Sequence, residues 1–136
     1  CAVSRLWHFR RPLGRAPRGG LERRESLPPT LKRALKTAAW RDCGQRCVYC
    51  GTAMPLAEAT LDHVHPMARG GRSQPGNLVV ACGPCNRRKG DLHPDEFFAR
   101  WPTAAENFMR YARTVHRAFK RNARRAVSLA WAEAAA

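Results

Sequence analysis

The first clear hydrophobic pattern in the chain has a helical period. Leu31, Leu35 and Ala38 stand at positions i, i+4 and i+7, which places them on one face of an α-helix. Thr30 is a suitable N-cap residue, and we expect the helix to end near Asp42. The pattern therefore predicts a short amphipathic helix directly before the first pair of cysteines.

The next two apolar runs, residues 60–64 and 77–81, are short and contain β-branched residues. Glycine and proline residues lie between them, so the pattern predicts two antiparallel strands joined as a hairpin. Pro84 suits the first turn of a following helix, and Gly90 suits its end. The order strand, loop, strand, helix indicates a small domain of the α+β class.

The pattern after this domain is helical again. Residues 95–101 predict a short helix, and Thr103 and Glu106 then have the spacing of a capping box. Apolar residues continue at a helical period to Ala130, which predicts one helix of about 28 residues, roughly 42 Å long. Its opposite face is basic, and this face either contacts DNA or is simply exposed to solvent while the apolar stripe packs inward. The basic residues are Arg110, Arg113, Arg117, Arg121 and Arg124.

These patterns divide the 136 residues into three segments. Residues 1–29 combine arginine, glycine and proline without a sustained apolar period, so we expect a basic, disordered arm. Residues 30–102 hold the predicted strands and short helices, and residues 103–136 hold the long basic helix. The length is that of about one ordinary domain.

The net charge changes the picture of what the chain binds. It is +15, and the basic excess is spread along the whole chain instead of being confined to one tail. Such a field attracts polyanions, so nucleic acid is the expected partner, although a general role in solubility is the alternative. No apolar segment reaches the length of about 18 residues that a membrane helix needs, and no signal peptide is evident. We expect a cytoplasmic protein with no membrane association.

Two Cys-x-x-Cys pairs, Cys47 with Cys50 and Cys82 with Cys85, supply four thiolates. Matched pairs of this spacing are typical of a closed, tetrahedral zinc site, whose role is structural. A redox-active pair is the alternative interpretation. Of the six cysteines, Cys1 and Cys43 lie outside the two pairs.

The segment between Cys50 and Cys82 is too long for a simple zinc ribbon, and it contains the sequence Asp62-His63. An Asp-His pair alone is weak evidence of a site. The pair becomes informative together with the residues that follow it in order. The whole set is Leu61-Asp62-His63-Val64-His65-Pro66, Gly70-Gly71, Asn77-Leu78 and Cys82-Gly83-Pro84-Cys85-Asn86-Arg87-Arg88-Lys89-Gly90.

This combination, within residues 46–90, resembles the HNH endonuclease motif in the form that binds zinc through four cysteines. The resemblance implies a small ββα-metal core with a structural zinc ion, flanked by helices, and hydrolysis of phosphodiester bonds in DNA. It implies that His63 is the general base, that Asp62 and Asn86 bind a catalytic Mg²⁺ or Mn²⁺ ion, and that Asn77 steadies the loop. Asn86 stands where the name-giving pattern has its final histidine, and its amide oxygen suits a hard cation such as Mg²⁺.

Three basic residues directly follow Asn86, and a helical turn would present at least one of them to phosphates beside the cut. They are Arg87, Arg88 and Lys89. An exposed basic helix end that complements the helix dipole is the alternative.

Two further functional interpretations remain open. A zinc-containing module could bind nucleic acid without cutting it, but this leaves Asp62, His63 and Asn86 unexplained. A zinc-stabilised domain could instead bind an acidic protein, and would then lack a strongly salt-dependent affinity for DNA. RNA is not excluded as a substrate, and a homodimer is one way in which a site that cuts one strand could cut both.

Overall fold

The structure, a computed structural model, describes residues 27–136. It contains one helix, a two-stranded hairpin and then four helices. These are α1 (Pro29–Asp42), β1 (Ala59–His63), β2 (Leu78–Cys82), α2 (Gly83–Lys89), α3 (Pro94–Arg100), α4 (Pro102–Tyr111) and α5 (Arg117–Ala135). Short 3-10 turns occupy Leu56–Glu58, Met67–Arg69 and Pro75–Asn77.

Proline sets the start of the first four helices. Pro29, Pro84, Pro94 and Pro102 each occupy the first or second helical position of their helix. This position has no intrahelical acceptor for a backbone N–H, so the missing N–H of proline costs nothing there. The first helix begins at Pro29, with Pro28 as its N-cap, so the prediction of Thr30 as N-cap is wrong, while the predicted end at Asp42 is confirmed.

The hairpin is antiparallel, as predicted, with each strand shifted by one residue from the predicted range. Its register pairs Ala59 with Cys82 and His63 with Leu78. Helices α1 and α2 both pack against the two strands. The strands, the cysteine turns and α2 thus form a compact ββα unit, and the predicted α+β class with flanking helices is confirmed.

The core beside this unit is aromatic. Tyr49 packs edge-on against Phe97, with ring centroids 5.1 Å apart, and lies parallel to Phe108 at 6.1 Å. Phe98 and Phe119 are also buried. These side chains join the first cysteine turn to α3, α4 and α5, so the C-terminal helices are part of the same core.

The prediction of one long helix after residue 103 is wrong. Helix α4 ends at Tyr111, and α5 begins only at Arg117. His116 precedes α5 in an extended conformation, and its backbone N–H donates a 3.0 Å hydrogen bond to the carbonyl of Gly76. The chain turns back here, and α5 packs against α3 and α4. The apolar stripe is largely buried, since Phe108, Phe119 and Ala126 all lie in the core.

The expected disordered arm falls mostly on residues 1–26, which lie outside the described residues. Among residues 27–136, no helix has the length and apolar content needed to cross a membrane.

Candidate nuclease site

Four cysteines from three elements meet beside the hairpin. Cys47 and Cys50 lie in the turn after α1, Cys82 ends β2, and Cys85 lies in the first turn of α2. Their sulfur atoms all lie within 4.8 Å of one another, and the Sγ atoms of Cys50 and Cys82 are 3.9 Å apart. The predicted convergence of the two pairs is confirmed.

This cluster fits a tetrahedral metal ion. With metal–sulfur distances of about 2.3 Å, neighbouring sulfurs of a tetrahedron lie about 3.8 Å apart. The backbone N–H groups of Tyr49 and Cys50 also point at the Sγ of Cys47, at 3.4 and 3.5 Å, where they stabilise negative charge on sulfur. All four sulfurs are used in such a site, so it has no open position for chemistry.

The pKa values of the clustered thiols are shifted in different directions. Burial raises the pKa of Cys47 and of Cys85, since it disfavours a thiolate. Burial also tends to raise the pKa of Cys50. Hydrogen bonds with Thr52 and with neighbouring cysteines outweigh this effect and lower the pKa of Cys50 to about 7. Cys43 lies outside the cluster, and burial raises its pKa to about 11, as expected of an inert core thiol.

Asp62 lies on β1 with a side chain that is almost fully buried. The phenol of Tyr49 donates a 2.6 Å hydrogen bond to its Oδ2 atom, and the ammonium of Lys89 lies 3.6 Å from Oδ1. Lys89 also donates a 3.0 Å hydrogen bond to the backbone carbonyl of His63. The carboxylate is therefore held between the first cysteine turn and α2.

Asn86 lies on α2 and is oriented by Thr60 of β1. The hydroxyl of Thr60 donates a 2.7 Å hydrogen bond to the carbonyl of Ala81. A hydroxyl has one proton, so towards Asn86 it can only accept, and the Nδ2 atom of Asn86 donates to it at 2.9 Å. This arrangement directs the Nδ2 atom of Asn86, and not its Oδ1 atom, towards Thr60.

Asp62 and Asn86 lie at the same interface, between β1 and α2. Thr60 and Asp62 are two residues apart on β1 and lie on one face of the strand. Asn86 and Lys89 are three residues apart on α2 and lie on one face of the helix. Because Thr60 contacts Asn86 and Asp62 contacts Lys89, these two faces oppose each other.

His63 follows Asp62 at the end of β1 and is directed towards the loop between the strands. Its Nε2 atom lies 2.8 Å from the hydroxyl of Ser73 in that loop. This hydrogen bond restricts rotation of the imidazole ring. The ring tautomer determines which of the two groups is the donor. The structure thus places His63 and Asp62 on adjacent positions with different surroundings.

The loop that carries Ser73 is organised by Asn77. The buried side chain of Asn77 accepts a 2.7 Å hydrogen bond from the N–H of His65 and donates to the carbonyls of His65 and Arg72, at 3.1 and 2.9 Å. Gly71 passes so close to His65 that an added Cβ would lie 1.7 Å from its carbonyl oxygen, which explains the glycine at this position.

The three basic residues after Asn86 have different surroundings. Arg87 and Arg88 are exposed, and the guanidinium of Arg88 lies 3.9 Å from the ring centroid of Trp101. Lys89 is 1% exposed and turns inward to Asp62, so it is not a surface residue that could contact a phosphate backbone. The expected phosphate role is therefore compatible with the two arginines and not with Lys89.

Sequence reasoning missed Tyr49, Thr60 and Ser73. Thr60 had a usable signal, because it lies two residues before Asp62 and shares its strand face. Tyr49 was visible as the spacer of a Cys-x-x-Cys pair, but nothing in the spacing indicated Asp62 as its partner. Ser73 had no comparable signal in the sequence.

Comparison with known proteins identifies a family for this part of the chain. Residues 47–102 match the family model described as HNH endonuclease. The CRISPR-associated endonuclease Cas9 of Actinomyces naeslundii is 43% identical over 59 residues, which make up 43% of this chain and 5% of that protein. The CRISPR-associated endonuclease Cas9 of Corynebacterium diphtheriae is 35% identical over 57 residues, or 41% of this chain and 5% of that protein. The chain thus spans about 5% of the length of these relatives.

The fold is similar to part of a solved structure, the crystal structure of the Type II-C Cas9 enzyme from Actinomyces naeslundii. The TM-score is 0.51 at 21% sequence identity, and the match covers 93% of this chain and 15% of that one. At this identity the similarity shows a shared fold. The family match confirms the resemblance found in the motif: residues 47–102 of this chain match the HNH endonuclease family.

Proposed function

We propose that this chain hydrolyses phosphodiester bonds in DNA as a metal-dependent HNH endonuclease, with His63 as general base. The observation that carries the proposal is that Asp62 on β1 and Asn86 on α2 lie at one interface between strand and helix, in the unit that also holds the four clustered cysteines. Both Cas9 relatives are endonucleases, which supports the same class of reaction.

Asp62 and Asn86 would hold the catalytic Mg²⁺ or Mn²⁺ ion. Carboxylate and amide oxygens are the donors that such hard cations prefer. A carboxylate offers about four lone-pair positions, so the bond from Tyr49 leaves Asp62 with capacity for a further partner. When bound, a divalent ion neutralises charge on the scissile phosphate and the leaving oxygen.

His63 would accept the proton of the attacking water. An imidazole ordinarily titrates near pH 6.5, so a neutral ring is available as a base at about neutral pH. As the water loses its proton to His63, its oxygen bonds to phosphorus and the bond from phosphorus to O3′ breaks. The leaving oxygen takes a proton from solvent, which gives 5′-phosphate and 3′-hydroxyl ends. One site of this kind cuts one strand.

Asn77 and the cysteine cluster would support this chemistry without contacting the reacting atoms. Asn77 fixes the loop that brings Ser73 to His63. Zinc on the four cysteines would join the first turn, β2 and α2, whose relative placement brings Asp62 and Asn86 together. A donor set of four thiolates suits zinc, whereas the oxygen donors at the catalytic position do not favour it.

The net charge of +15 supports DNA as the partner. Arg87 and Arg88 are exposed directly after Asn86, where they would contact phosphates beside the cut. Such contacts position a duplex without reading its sequence. We propose that sequence or target selection resides in elements outside residues 47–102.

A plasmid nicking assay tests the proposal. The purified chain with Mg²⁺ or Mn²⁺ is expected to convert supercoiled plasmid to nicked circles, and omission of the divalent ion is expected to stop the conversion. His63→Ala is expected to abolish nicking while DNA binding persists. Binding without nicking by the wild-type chain would instead favour a non-catalytic zinc module that binds nucleic acid.

A further inference from the structure

Tyr49 connects the cysteine cluster to the candidate catalytic site. We propose, on the basis of the function proposed above, that Tyr49 is a positioning residue of the nuclease: its phenol fixes the Asp62 carboxylate for binding of the divalent ion. The bond between the Tyr49 hydroxyl and Oδ2 of Asp62 is 2.6 Å long and buried. Asp62 thereby takes its orientation from the turn that carries Cys47 and Cys50.

The phenol is held rigidly. Tyr49 is 0% exposed, and its ring lies parallel to Phe108 and edge-on to Phe97. Its backbone is fixed as well, because its carbonyl accepts a 2.8 Å hydrogen bond from Asn107 and its N–H points at the sulfur of Cys47. A side chain constrained at both ends can hold its partner in one position.

The hydrogen bond from Tyr49 engages one particular oxygen of the Asp62 carboxylate. Oδ2 of Asp62 accepts from Tyr49, and Oδ1 lies on the side of α2, 3.6 Å from the ammonium of Lys89. Rotation of an aspartate carboxylate about χ2 has a broad, roughly two-fold profile, so the backbone of β1 does not fix it. Without the phenol, Asp62 would turn towards Lys89, and the buried ion pair would compete with a divalent ion.

A substitution that keeps the packing tests this role. Tyr49→Phe removes the hydroxyl and retains the ring, and Tyr111→Phe is the matched control at the other tyrosine of the chain. Binding of Mn²⁺ is measured by the electron paramagnetic resonance signal of the free ion, and nicking is measured against Mg²⁺ concentration. Mutation of a residue that hydrogen-bonds to a metal ligand typically weakens metal binding by about 10–100-fold.

We expect Tyr49→Phe to weaken Mn²⁺ binding by about tenfold and to raise the half-saturating Mg²⁺ concentration for nicking by a similar factor. The maximal rate at saturating Mg²⁺ should fall much less than the affinity, and Tyr111→Phe should match the wild type in both measurements. Tyr49→4-aminophenylalanine keeps an N–H donor at the same position and should restore most of the Mn²⁺ affinity. This third variant separates the lost hydrogen bond from any change in folding.

Two results would overturn the proposal. One is wild-type Mn²⁺ affinity in Tyr49→Phe, and the other is an equal loss of affinity in the phenylalanine and 4-aminophenylalanine variants. Failure of the underlying function gives a different result, because the wild-type chain would then bind Mn²⁺ or cut DNA no better than its own Asp62→Ala variant.

Discussion

The hydroxyl of Thr60 accepts a 2.9 Å hydrogen bond from the side-chain nitrogen of Asn86. Because this hydroxyl donates its proton to the carbonyl of Ala81, the bond determines which end of the Asn86 amide faces the candidate ion. Loss of a group that orients a metal ligand in this way typically lowers metal affinity by about 10–100-fold.

Thr60→Val should therefore weaken binding of the divalent ion. The valine has nearly the same shape but cannot accept from Asn86, so we expect an increase of about tenfold in the Mn²⁺ dissociation constant. Thr60→Ser retains the hydroxyl and should bind Mn²⁺ nearly as the wild type does. Equal affinities in the valine and serine variants would show that the Thr60 hydroxyl does not orient Asn86.

Arg87 and Lys89 should differ in their effects on DNA binding. Arg87 is exposed, so Arg87→Ala should weaken binding and reduce the slope of log affinity against log salt concentration by about 1. Lys89 is buried beside Asp62, so Lys89→Met should leave the salt slope unchanged and lower the free energy of unfolding by about 3–5 kcal/mol. Fluorescence anisotropy at several salt concentrations and urea unfolding measure the two quantities. A reduced salt slope in Lys89→Met would instead place its ammonium at the DNA backbone.

The cluster of four cysteines should account for much of the stability. Cys85→Ala removes one of four metal ligands, so we expect loss of bound zinc and a fall in Tm of more than about 10 °C. Cys43→Ala is the matched control, because Cys43 is a buried cysteine outside the cluster. We expect this variant to keep one zinc per chain by elemental analysis and to lose at most about 8 °C in Tm. Similar losses of zinc and Tm in both variants would contradict a structural role confined to the four clustered cysteines.

The sequence predicted local structure where local chemistry decides it. The hairpin and α2 were predictable because their signals are local. Runs of β-branched residues favour strands, the Gly70-Gly71 pair favours a turn, and Pro84 favours a helix start within a few residues of its own position. The prediction of a single long C-terminal helix was wrong. The hydrogen bond from His116 to Gly76 is a tertiary contact, and it lies within a segment whose apolar residues recur at a helical period.

The same distinction holds for the candidate site. The spacing of the cysteines predicted their two pairs. The resemblance to the HNH motif indicated the four site residues Asp62, His63, Asn77 and Asn86. The hydrogen-bond partners of Asp62 and Asn86 could not be assigned in this way. Tyr49 is 13 residues from Asp62, and Thr60 is 26 residues from Asn86, so only the packing of the turn and α2 on the hairpin brings each pair together.

The central claim, that His63 acts as the base, is tested most directly by chemical rescue. His63→Gly removes the imidazole and leaves space for a free one, so nicking by this variant with Mg²⁺ should be lost and then partly restored by added imidazole. The restored rate should rise with pH as the added imidazole becomes neutral, and Asp62→Asn should not be rescued. Nicking by His63→Gly at the wild-type rate without imidazole would contradict the assignment of His63 as the general base.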